Sequence, residues 1–119
     1  MKSILFAMTV VAAVFAKAQE VEKVSLVQVP GKFEQTALSL KAGTSYIFEV
    51  ENSGVDHEVG FVIAPKGQTE QANHIQSAYL QTVVKDGESA QSNQVVLEKG
   101  EYVYFCPLNP TPQYTITVE

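Results

Sequence analysis

From Lys23 onward the chain repeats one pattern. Apolar residues stand at alternate positions, in short runs that end at glycine, proline or asparagine. Successive side chains of a strand point to opposite faces, so this alternation reads as half-buried β-structure. Lys23–Val29 is β-branched and apolar, and Thr36–Leu40 places Leu38 and Leu40 on one face. Thr44–Glu51 alternates Tyr46, Phe48 and Val50 with other residues, and Glu58–Ala64 does the same with Val59, Phe61 and Ile63. Ser92–Leu97 and Glu101–Cys106 flank a hairpin-like turn at Glu98-Lys99-Gly100, and Tyr114–Val118 closes the chain. The exception is Gln68–Gln91. Ala72, Ile75 and Tyr79 recur at helical spacing there, which predicts a short helix over 70–79. Leu80–Val84 reads as a further strand before the turn at Lys85-Asp86-Gly87. Seven or eight short strands with turn signals between them predict an all-β antiparallel sandwich.

Hydrophobic residues make up 45% of the 119-residue chain and charged residues 18%, the balance of a globular domain. Lys2, the apolar run Ile4–Phe15 and the small-residue site Ala16-Lys17-Ala18 read together as a secretory signal. The run is shorter than the ~20 residues a membrane span needs. We therefore expect residues 1–18 to be a signal peptide, 19–119 one domain without a membrane span, and the protein to be secreted or periplasmic. In that domain six lysines face thirteen carboxylates, a charge of −7, and there is no arginine. Such a surface repels nucleic acid phosphates and anionic lipid.

Cys106 is the sole cysteine, so no disulfide forms within the chain. A lone cysteine in an oxidising compartment is a shielded thiol, an intermolecular bridge or a ligand. Alternation puts Cys106 on one face with Tyr102 and Tyr104, and Val103 and Phe105 on the other. This favours a buried thiol. Of the two histidines, His57 sits where a turn meets a strand. There it either caps backbone or pairs with Asp56 or Glu58, or serves as a ligand. His74 lies in the helical excursion beside Asn73 and reads as a solvent-facing polar residue. It reaches Cys106 and His57 only if that excursion folds over the same end of the sandwich.

Two segments carry a resemblance. Asn52, Gly54 and His57 form Asn-x-Gly followed by a histidine just before an apolar strand. Gly100, Glu101, Tyr102, Tyr104 and Cys106 form a glycine–acidic–tyrosine–aromatic–cysteine strand. In both, the chain resembles the cupredoxins, the plastocyanin-like family of secreted copper proteins, from about Val24 to Glu119. The resemblance implies a Greek-key β-sandwich and a copper site of two histidines, a cysteine and a weak axial methionine or glutamine. It carries His57 and Cys106 onto the first-histidine and cysteine positions. The second histidine position, two to four residues past the cysteine, holds Asn109. The axial position falls near Pro112–Tyr114, where Gln113 is the one side chain that offers a weak axial oxygen. Both methionines, Met1 and Met8, lie in the signal. Pro107, Pro110 and Pro112 stiffen this loop and remove backbone donors from it.

Enzyme motifs are missing: there is no nucleophile triad, phosphate loop or HExxH. A Cys106/His57 nucleophile pair has neither a substrate pocket nor an oxyanion donor set to support it. The expectation is a cupredoxin-like domain with a degraded copper site. It would act as a binding module, meeting a protein partner through the end that carries His57 and Leu108–Gln113. The alternative is a copper-binding protein for electron transfer or copper handling, using His57 and Cys106 with altered remaining ligands.

Overall fold

The computed structural model describes residues 20–119, and the expected signal segment lies outside them. Among these residues nine strands form two sheets: β1 (Val21–Val29), β2 (Lys32–Phe33), β3 (Ala37–Leu40), β4 (Ser45–Asn52), β5 (Val62–Pro65), β6 (Ser89–Gln91), β7 (Val95–Val96), β8 (Gly100–Phe105) and β9 (Tyr114–Val118). One sheet runs β2-β1-β4-β6, with β7 also paired to β4; the other runs β3-β9-β8-β5. The all-β sandwich is the expected one. Its strand count is raised by the two-residue strands β2 and β7.

Not every pairing is antiparallel. β1 lies parallel to β4, with Val24 beside Phe48, and β3 lies parallel to β9, with Leu38 beside Ile116. The reason is the crossover after Phe33. The chain leaves the first sheet, adds β3 to the second, and returns as β4 alongside β1.

The inward faces follow the alternation. Leu26 of β1, Tyr46, Phe48 and Val50 of β4, Ile63 of β5, Tyr104 of β8, and Ile116 and Val118 of β9 pack with Phe33 and Phe61 between the sheets. Phe33 meets Tyr104 edge-on at 5.1 Å between ring centroids, and Phe48 and Phe61 lie 5.5 Å apart. Aromatic pairs favour such offset or edge geometries.

The excursion corrects two local expectations. Instead of a helix over 70–79 there are two 3₁₀ turns, Gln71–Asn73 and Gln76–Ala78. His74 and Ile75 between them are extended, because the Ile75 N–H donates to the Ile63 carbonyl at 2.8 Å. That bond and Gln68 N–H to the Pro65 carbonyl, 2.9 Å, cover the edge strand β5. Leu80–Val84 is not a strand either; it makes two isolated bridges outside the strands, Leu80 to Ser92 and Val84 to Val59. The expected strand over Glu58–Ala64 starts only at Val62. Gly60 ahead of it turns its N–H to Cys106 and its carbonyl to Gln28.

Candidate functional site

Cys106 follows the last residue of β8, and its thiol is buried, 2% exposed. Two backbone N–H groups converge on the sulfur: Gly60 at 3.3 Å and Asn109 at 3.1 Å. The Cys106 N–H donates to Thr111 Oγ1 at 3.1 Å, which folds the 107–111 loop back over the end of the strand. The segment after β4 therefore passes the sulfur at Gly60, three residues beyond His57.

Asn52, at the end of β4, shapes that segment. Its Oδ1 accepts from Val55 N–H at 2.9 Å, and its Nδ2 donates to the carbonyls of Val55, His57 and Val84, each at 3.1 Å. The resulting bend leaves the His57 side chain exposed. His57 Nδ1 lies 3.0 Å from the Glu58 carbonyl. A carbonyl only accepts, so Nδ1 carries the proton and His57 caps backbone.

Asn109 is buried, 5% exposed, and its side chain is fully engaged. Oδ1 accepts from Gly31 N–H at 3.1 Å, and Nδ2 donates to the Val29 carbonyl at 3.1 Å and to Gln28 Oε1 at 3.2 Å. Gln28, wholly buried, donates in turn from Nε2 to the Gly60 carbonyl at 2.6 Å. Neither Gln28 nor Gly60 stood out in the sequence. Gln28 carried a weak signal, being polar at the parity of Val24 and Leu26 in an otherwise apolar inward row.

Gln113 is exposed. His74 has both ring nitrogens bonded, Nδ1 to Tyr79 OH at 2.7 Å and Nε2 to the Thr69 carbonyl at 3.0 Å. It stacks edge-on against Phe105, whose side chain faces away from Cys106. The Thr69 carbonyl fixes the proton on Nε2, so Nδ1 accepts from the tyrosine hydroxyl.

Beside the sealed thiol the surface opens into an apolar groove of about 410 Å³, walled by Gly60, Val62, Tyr79, Val83, Pro107 and Leu108. Leu108 is 48% exposed and Val83 43%. A smaller hollow shares Val62, Tyr79 and Pro107 with it and extends to His74 and Gln71.

Solved structures share this architecture. Auracyanin A, a blue copper protein from the green thermophilic photosynthetic bacterium Chloroflexus aurantiacus, superposes with a TM-score of 0.68 at 14% identity, over 84% of this chain and 100% of that one. The chain has the cupredoxin fold. Auracyanin B gives a TM-score of 0.65 at 21% identity, over 82% of this chain and 88% of that one. The azurin Az-iso2 of Methylomonas sp. strain J gives 0.61 at 15%, over 82% and 98%. No protein-family model matches the chain, and no curated protein does.

The residues of this cupredoxin fold do not fit a type 1 copper centre. A metal there needs donors with free lone pairs converging beside Cys106. Asn109, at the second-histidine position, has every side-chain group committed to protein partners. Among the described residues no buried side-chain nitrogen or oxygen lacks a hydrogen-bond partner, so no buried nitrogen or oxygen donor is left open for an ion. Nor do three His, Cys, Asp or Glu side chains come together among them. No helix among the described residues is long and apolar enough to cross a membrane.

Proposed function

We propose that this protein is a secreted or periplasmic cupredoxin-fold binding module, not an enzyme, which meets a protein partner through the end of the sandwich that carries His57 and Leu108–Gln113. One observation carries the reading. At this end the thiol is sealed, while Leu108 and Val83 stand exposed on the rim of an apolar groove. Exposed apolar surface beside a rigid loop is the usual composition of an interaction patch. Pro107, Pro110 and Pro112 hold the loop in a form that loses little entropy on binding. The acidic, arginine-free surface fits a basic or neutral partner and disfavours nucleic acid.

The test pairs two measurements on the purified protein. Metal analysis of protein made in an oxidising compartment should find no stoichiometric copper. Leu108→Asp should weaken capture of the native partner while the thermal transition stays unchanged. Capture that is the same with Leu108→Asp and with Pro110→Ala would remove the partner from this end.

A second reading draws on the blue copper chemistry of auracyanin A. His57 and Cys106 would hold copper with altered remaining ligands, for electron transfer or copper handling. It requires copper to co-purify with the reduced protein and to be lost in Cys106→Ser.

A further inference from the structure

The cupredoxin fold implies a copper loop at 106–113, and this chain's residues do not fit the metal; another device holds the loop. We infer that the side-chain amides of Gln28 and Asn109 form a directed clamp that fixes the Cys106–Asn109 loop without a metal and withholds Cys106 from metal chemistry. The inference rests on the metal-free reading of the site above.

The clamp is a closed ring of hydrogen bonds. Gly60 N–H reaches Cys106 Sγ, Asn109 N–H reaches the same sulfur, the Asn109 side chain donates to Gln28, and Gln28 donates back to the Gly60 carbonyl. It joins positions up to 81 residues apart in the chain. Its polarity is set at both ends by backbone groups that have one role each. Gly31 N–H only donates, so Oδ1 of Asn109 must face it. The Val29 and Gly60 carbonyls only accept, so Nδ2 of Asn109 and Nε2 of Gln28 must face them. Neither amide can flip without opposing like dipoles in a buried site, and a buried unsatisfied amide is costly. A histidine and a metal would tie residue 109 to Cys106 through the ion. Here the Asn109 N–H makes that tie, and the clamp keeps it aimed. The side chain at the second-ligand position is turned to β1 and the turn that follows it, not to the sulfur.

The readouts are thiol reactivity and amide exchange. In the wild-type protein the Gly60 and Asn109 amides should exchange together, through one opening event. Gln28→Leu should speed reaction of Cys106 with an aromatic disulfide by about tenfold, the scale that one lost buried hydrogen bond gives to a local opening. It should also release the Gly60 and Asn109 amides while the β8–β9 ladder stays protected. Copper(I) should leave wild-type thiol reactivity unchanged and suppress that of Gln28→Leu. If Gln28→Leu does not fold, Gln28→Ala removes the donor to Gly60 and leaves room for water to satisfy the carbonyl, and the same changes are expected. Independent exchange of the two amides in wild type overturns the clamp. So does a Gln28 variant as shielded as wild type, with copper bound to neither, and that result leaves the metal-free reading standing. Copper(I) blocking the wild-type thiol one to one overturns both.

Discussion

The Gly60 N–H donates to Cys106 Sγ at 3.3 Å and ties the segment after β4 to the end of β8 across 46 residues of chain. Glycine is not needed there for space. Its φ lies outside the left-handed region, and an added Cβ would sit 3.9 Å from Pro107 and 4.0 Å from Leu108, ordinary contact distances. Gly60→Ala should therefore change stability by less than about 1 kcal/mol and leave the thiol shielded. Denaturant unfolding and thiol titration check it; a larger loss would mean that the backbone at Gly60 cannot hold an ordinary side chain.

Asn52 is the most heavily bonded side chain near the site, wholly buried with four contacts from one amide. Asn52→Ala strands several buried backbone groups and should cost about 2–4 kcal/mol. Urea unfolding measures this directly. A cost below 1 kcal/mol would show that the 53–57 bend holds without it.

Burial raises the Tyr104 hydroxyl to about 12, with a further contribution from neighbouring Tyr114. The hydroxyl donates to the Gln35 carbonyl at 2.5 Å. The unfolded chain loses this proton near pH 10 and the folded one only near 12. The stability it contributes is thus fully present below pH 10 and is lost as pH rises towards 12, by roughly 2 kcal/mol in all. Tyr104→Phe should flatten that alkaline decline in a stability-versus-pH series. An unchanged slope in the variant would assign the decline to other groups.

At the acid end, Glu49 has its pKa lowered, first by the Lys23 ammonium at 3.0 Å and then by Gln91. Its stabilisation is present above the ordinary carboxylate range and fades as pH falls through the lowered value. The pair is solvent-exposed, so Lys23→Ala should cost only about 0.5 kcal/mol, and less in high salt. A salt-independent cost above 1 kcal/mol would show that packing, not charge, is at work.

Much of this was legible along the chain. Alternation assigned Tyr102, Tyr104 and Cys106 to one face, and Tyr104 and Cys106 lie in the core while Phe105 stacks on His74 outside it. Tyr114–Val118 is a strand over the span expected, and β4 is shifted by a single residue. Where a residue's partners are its chain neighbours or the two faces of its own strand, periodicity carries the information. The helix over 70–79 failed for the opposite reason: the Ile75 amide bonds to Ile63 on β5, and a contact between segments outweighed local spacing.

The amino-acid sequence by itself determined the all-β class, the inward row of aromatics and the burial of Cys106, because each follows from side-chain order at period two. Only the tertiary structure decided what surrounds that sulfur. It set β1 parallel to β4, brought Gly60 to the thiol, and bound Asn109 to Gln28 from the far end of the chain. These are hydrogen bonds between distant segments, with polarity set by backbone groups that no local pattern encodes.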